Sequence, residues 1–170
     1  MKIRYLILVC LFVAFGFSSC LKDTPYMDVS NSAPIIEFGL SPANGDFGPF
    51  MYRADTTGSP AVDTAIALDI ASPQVLNKNV TITVAVDSAL VAAYDSANAA
   101  SFTPLPANLY SLTSSTITIE AGFRVGRIPV TLNFPSFPAS HNYALALTIT
   151  DGGGLLISGN SSTFIWLFER

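Results

Sequence analysis

From Ile35 to Phe168 apolar side chains recur at every second position in short runs, and each run ends in turn-forming residues. A period of two places alternate residues on opposite sides of an extended backbone, so each run predicts a strand with one face to bury. Val80, Ile82, Val84 and Val86 alternate with Thr81, Thr83 and Ala85, the clearest case. Ile66, Leu68 and Ile70 alternate with Ala65, Ala67 and Asp69, and Ile117 with Ile119 makes a shorter run closed by Ala121-Gly122. Ile128, Val130, Leu132 and Phe134 share one face; Pro129, lacking an N–H for a ladder, puts that segment near an edge or a bulge. Tyr143, Leu145, Leu147 and Ile149 line up before the turn Asp151-Gly152-Gly153-Gly154. Thr163 to Phe168 is apolar on both faces, as in a central strand, and Ile35 to Leu40 with Phe50 to Arg53 completes the set.

One stretch departs from this period. Asp87 to Ala100 is rich in Ala and spaces Leu90, Tyr94 and Ala97 as a helix does, with Asp87 or Ser88 as N-cap. The expected fold class is therefore all-β: an immunoglobulin-like antiparallel β-sandwich of about seven or eight strands over 35–170, with one short helix near 88–98.

The apolar excess of the chain, half of its residues, comes partly from its first segment. Lys2 and Arg4 precede the 13 uncharged residues Tyr5 to Phe17, and Ser18-Ser19-Cys20 follows. That run is shorter than the ~20 residues that span a bilayer and has the build of a secretory signal. Phe17-Ser18-Ser19-Cys20 resembles a lipobox, in which the residue after the cut is a cysteine that takes a diacylglycerol. Residues 1–19 are thus read as a lipoprotein signal peptide and Cys20 as the lipidation site. Cys10 leaves with the signal, so the mature chain has one thiol and no internal disulfide. At 151 residues it is large enough to fold without one. Residues 20–34, with Lys22, Asp23, Pro25, Asp28, Ser30, Asn31 and Ser32, read as a polar tether. Losing Lys2 and Arg4 takes the formal charge from −4 to −6, which excludes nucleic acid as an expected partner.

The segments NVTITVAVDSALVAAYDSAN (79–98), FTPLPANLYSL, STITIEAGFRVGRIPVTLNF and NYALALTIT together resemble the Bacteroidota lipoprotein domain of unknown function 1735. The matching positions are Asp87, Leu90, Val91, Tyr94, Leu105, Pro106, Ser111, Leu112, Thr118, Ile119, Gly122, Tyr143, Leu145 and Leu147. Asp95 stands where the family has Asn, and Ala146 where it has Pro. The resemblance implies an immunoglobulin-like sandwich from outer-membrane glycan-utilisation systems, often set before a glycosidase, a lectin-like or a discoidin-like domain. It supplies no active site to transfer, and with the last apolar run ending beside Arg170 no such second domain is expected here. In lipoproteins of this kind acidic residues after the lipidated cysteine mark export to the cell surface. Lys22-Asp23 offers one such residue, so the outer-membrane protein faces either the surface or the periplasm.

Catalytic chemistry has little to stand on. His141, the one histidine, lies in the loop 138–142 with no Gly-x-Ser-x-Gly elbow to complete a triad, and reads as a solvated loop residue. Asp87 and Asp95 are a carboxylate pair only on paper, since Asp87 is better placed as a helix cap. Asp151 with its glycines lacks the acidic spacing of a calcium loop and reads as a plain turn. Trp166, in an apolar strand, is expected in the core. Phe47, Phe50, Met51, Tyr52, Tyr110, Phe134 and Phe137 look more exposed, either as sugar platforms or as loops tucked over the sandwich ends. No ligand-binding residue, catalytic residue, metal or cofactor is assigned.

The resulting expectation is a lipid-anchored, non-enzymatic accessory binding or assembly module of a glycan-utilisation system, with glycan or outer-membrane transport proteins as partners. The alternative is a structural adhesin or pilus-like subunit. Mass spectrometry of the native protein is expected to find acyl mass on Cys20, and Cys20→Ala to move the protein from the membrane to the soluble fraction; an unmodified Cys20 refutes the signal assignment.

Overall fold

The computed structural model describes residues 29–39, 50–53, 61–138 and 141–169, with the side chains of 50–53 and 169 left out. The signal peptide, Cys20, residues 20–28 of the tether, Phe47 and the side chains of Phe50, Met51 and Tyr52 lie outside this description. In chain order the strands are β1 (Ile35–Phe38), β2 (Phe50–Arg53), β3 (Val62–Ala71), β4 (Val80–Val86), β5 (Thr103–Pro104), β6 (Tyr110–Leu112), β7 (Thr116–Ile119), β8 (Val125–Leu132), β9 (Tyr143–Asp151), β10 (Leu156–Ile157) and β11 (Thr163–Glu169). The helix α1 (Ser88–Asn98) lies between β4 and β5.

These strands build two sheets, β10-β1-β3-β8-β6 and β2-β11-β9-β4-β7, with β5 added beside β9. Except for β4 and β5, joined through α1, successive strands belong to opposite sheets, so the chain crosses the sandwich again and again. The alternating runs explain why. Ile66, Leu68 and Ile70 of β3 and Ile128, Val130 and Leu132 of β8 are buried from one side, while Val80, Ile82 and Val84 of β4 and Leu145, Leu147 and Ile149 of β9 are buried from the other. Each such side chain contributes about 1.5–3 kcal/mol when taken fully out of water.

The all-β sandwich with one short helix is as the alternation predicts, and the details differ in four ways. The strands number eleven among the described residues rather than seven or eight, because β5, β6 and β10 are two or three residues long and too short to show a period. The sandwich is not wholly antiparallel: β10 runs parallel to β1, β2 to β11 and β5 to β9, all at the periphery. Phe134 does not extend β8; it opens a 3-10 turn, Phe134–Ser136, that Pro135 starts. Pro129 pairs with Ala65 of β3, and its carbonyl accepts from the Thr113 N–H just past the end of β6. Its missing N–H therefore faces the stretch where β8 has outrun its neighbour, which is the edge position foreseen for it.

The remaining core is aromatic. Rings touch in series from Phe38 to Phe164 (5.6 Å between centroids), Trp166 (6.2 Å), Phe168 (5.3 Å), Phe137 (5.6 Å) and Tyr143 (5.8 Å). Phe164, Trp166 and Phe168 are alternate residues of β11, so one strand face carries half of this row. At the other end of the sandwich Gly126 takes a core-facing position of β8, and a Cβ there would lie 2.8 Å from Ile119 Cγ1 and 3.0 Å from Ile117 Cγ2. The two sheets close on each other at that point because no side chain separates them.

Trp166→Ala is expected to cost about 3–5 kcal/mol in chemical denaturation, as large aromatic truncations in cores do. Gly126→Val is expected to cost about 1–3 kcal/mol, since Ile117 and Ile119 have to move. A Gly126→Val protein as stable as wild type contradicts the close approach.

Candidate functional site

Three aspartates of the sandwich are tied into its backbone. Asp87 caps α1, its Oδ1 accepting from the Ala89 N–H at 3.1 Å and its Oδ2 from the Thr148 hydroxyl at 3.3 Å. Asp95, the substitute for the family's Asn, accepts from the Phe102 N–H at 2.9 Å and holds the chain leaving the helix at Ala99, whose φ of 51° is left-handed. An acceptor is what that position needs, and Asp and Asn both offer one. Asp151 Oδ1 accepts from the Gly153 N–H at 2.8 Å, an Asx turn, and Gly153 (φ +62°) has no space for a Cβ against the Thr81 carbonyl. The loop at 151–154 is thus a turn locked by its own aspartate. Among the described residues no three His, Cys, Asp or Glu side chains gather as metal ligands.

The aromatic candidates divide. Trp166 is in the core with 8% of its surface exposed. Phe134 and Phe137 follow the second of the two readings given above, loops tucked over a sandwich end: they are buried, pack edge-on to each other at 5.3 Å and close the far end of the core over Phe168. Pro135 and Pro138 mark the segment as a loop, and the choice between a tucked and an open loop comes from the ring contacts with Phe168. Tyr110 is half-buried against the core. His141 is exposed and stacks on Tyr143 at 5.9 Å. The structure brings His141 into ring contact with Tyr143, and among the described residues it does not gather His141 with two or more of the aspartates.

Three outward surfaces remain. On the second sheet α1 covers Ala144 and Ala146 of β9 and Leu167 of β11 with Val91, and Leu90, Tyr94, Phe102 and Ile165 complete that cluster. The small Ala side chains let the helix sit close to the strand. Beside it the same face carries threonines in register: Thr81 opposite Thr118, with hydroxyl oxygens 3.0 Å apart, Thr83 opposite Thr116, and Thr148 opposite Thr163. On the first sheet Glu37 of β1 lies opposite Asp69 of β3, and Asp63 accepts from the Thr131 hydroxyl at 2.7 Å.

The third surface is an end of the sandwich. Ile35 pairs with Ala71 and Leu156, so β1 begins where β3 ends and β10 starts. Gly152 lies against Ile36 and Gly153 against Thr81, so the last residues of β9 are at this end too. Phe168 pairs with Tyr143 at the start of β9, so β11 finishes at the opposite end.

A family model described as an N-terminal domain matches residues 49–155. Among solved structures in the same fold is a multidomain protein of Bacteroides ovatus that includes DUF1735 (TM-score 0.62, 18% identity, 78% of this chain and 44% of that one). The chain belongs to the DUF1735-type domain family of Bacteroidota. This DUF1735-type domain is also similar to a proposed carbohydrate binding protein of Bacteroides ovatus, with a TM-score of 0.62 and 14% identity over 80% of this chain and 37% of that one. A third similarity is to EndoBT-3987 of Bacteroides thetaiotaomicron, solved with a Man5GlcNAc product (TM-score 0.58, 15% identity, 71% of this chain and 28% of that one). The domain spans less than half the length of each, and identities this low establish the shared fold. A comparison with the curated proteins finds no match.

Asp87→Ala is expected to lower stability by about 1 kcal/mol, whereas Asp87→Asn keeps most of the cap. Calcium or chelator is expected to leave the melting temperature unchanged, because Asp151 is already used by its own turn; a rise of several degrees with calcium overturns that account.

Proposed function

We propose that this DUF1735-type domain is a non-catalytic, lipid-anchored accessory module of a cell-envelope glycan-utilisation system, held at the outer membrane through acyl chains on Cys20. The observation that carries this reading is family membership together with the fold shared with a proposed carbohydrate binding protein of Bacteroides. The anchor rests on the short apolar run ending in Ser18-Ser19-Cys20. Among the described residues no helix is long and apolar enough to cross a membrane.

The non-catalytic part of the reading is supported by the use of the carboxylates. Hydrolysis of a glycosidic bond by the usual route needs two carboxyl groups facing one cleft at a separation of about 5–10 Å. Asp87, Asp95 and Asp151 are each engaged by a backbone N–H of their own cap or turn. The likeness to EndoBT-3987 covers 28% of that protein, so its activity is a property of a much longer chain. A docking or sugar-contacting role fits a rigid module whose threonine-lined face offers hydroxyl donors and acceptors in register.

Affinity electrophoresis of the mature protein in gels cast with polysaccharide is expected to show retarded migration on at least one glycan, or else the native protein is expected to co-purify with an outer-membrane transporter. A glycosidase screen is expected to show no turnover. Self-assembly into strand-exchanged fibres, with neither glycan nor transporter bound, replaces this reading with the structural-subunit one.

A further inference from the structure

Seven large hydrophobic side chains of the described residues are exposed: Val29, Val75, Val86, Phe123, Val125, Leu156 and Ile157. Scattered exposed apolar residues need no explanation, but these are not scattered. Leu156 and Ile157 pair with Ile35 and Ile36 at the start of β1. Val125 begins β8 opposite Asp69, two residues from the end of β3, and Phe123 lies in the turn before it. Val75 is in the loop from β3 to β4, which is held to that turn by the Gly122 N–H donating to the Leu76 carbonyl at 2.7 Å. The Arg124 guanidinium ties the two loops further, donating to the carbonyls of Ser72 and of Pro73, the latter at 3.3 Å. Val29 is on the segment that runs into β1. Six of the seven therefore belong to one end of the sandwich, and Val86, at the close of β4, is the exception.

That end is where the chain arrives from Cys20. Eight residues separate Cys20 from Val29, a reach of at most about 30 Å. Resting on the reading of Cys20 as the acylated residue, we infer that this end of the sandwich sits on the lipid bilayer, with Phe123, Val75 and Leu156 at the headgroup boundary and the opposite end, with His141 and Asn142, turned to solvent. The occupant of the patch is a membrane surface because the chain that follows the acylated residue enters the sandwich, through β1, at the end that carries the apolar side chains. Phe123 is 62% exposed at a turn tip, the placement an interfacial anchor requires. The loops that present Phe123 and Val75 are braced by Arg124 rather than free, so the patch is displayed by a fixed frame. Lys78, on the same loop as Val75, adds a cation at this end.

The test uses the mature, acylated full chain reconstituted in phosphatidylethanolamine/phosphatidylglycerol vesicles with brominated acyl chains, which quench indole at short range. Phe123→Trp is compared with Asn142→Trp, against the buried Trp166 background of the wild type, and acyl mass on Cys20 is measured in the same samples. The expected result is that Phe123→Trp loses about half of its added emission in brominated vesicles while Asn142→Trp is unaffected. No quenching at either position, with Cys20 acylated, overturns the orientation and leaves the anchor standing. Unmodified Cys20 overturns the anchor, and the orientation with it. A blue-shifted, dimer-linked emission of Phe123→Trp in detergent without lipid assigns the patch to a second copy and overturns the membrane assignment.

Discussion

The structure hangs on β9. It is buried on both faces: Tyr143, Leu145, Leu147 and Ile149 enter the core between the sheets, while Ala144 and Ala146 lie under α1. It also pairs with three strands, β11 along one side and β4 and β5 along the other. Backbone groups in such a strand have no water to fall back on, so each needs a partner from the protein. The Leu105 N–H donates to the Ala144 carbonyl and the Asp87 N–H to the Ala146 carbonyl, which fixes where α1 begins and where the chain returns after it. Ala146 in place of the family's Pro keeps the strand regular at that point. The one irregularity comes later, where the register with β4 shifts between Thr83 and Val84 and Thr150 becomes the extra residue.

Because nearly every connection leads to the other sheet, almost no strand pairs with its neighbour in sequence. The ladders form between distant segments, β3 with β8 and β4 with β9, so the chain has to close long loops before burial rewards it. The inward aliphatic residues are interchangeable in kind, so alternation forbids a slip of one residue but not a slip of two. Specific devices remove that freedom. Gly126 admits Ile117 and Ile119, Arg124 clamps the β3–β4 loop, and the Asp151 turn sets the start of β10.

What was legible in the sequence follows from length. Strands of seven or more residues, such as β3, β4, β8, β9 and β11, repeat their period enough to be read, and α1 announces itself through Asp87 and the spacing of Leu90 and Tyr94. Strands of two or three residues carry no period, and β5, β6 and β10 exist because a longer neighbour offers them a partner. Phe134 and Phe137 were legible as loop aromatics at a sandwich end, while their cover, a ring contact with Phe168 over thirty residues away, was not. The clustering of exposed apolar residues at one end was likewise hidden. Val75, Phe123 and Leu156 are far apart in the chain, and only the sheet register brings their loops together.

The chain enters at one end of the sandwich through β1 and reaches the other end through β11, and these two strands lie in different sheets. A pull applied between them is thus directed along the strands and acts as shear. β1 is held to β3 by its ladder and β11 to β9 by another, while between the sheets the load crosses side-chain contacts such as Phe38 against Phe164. Ladders loaded along their length resist together instead of opening one bond at a time. Tension applied between the two ends would accordingly run lengthwise through the two ladders, with the hydrophobic core joining one to the other.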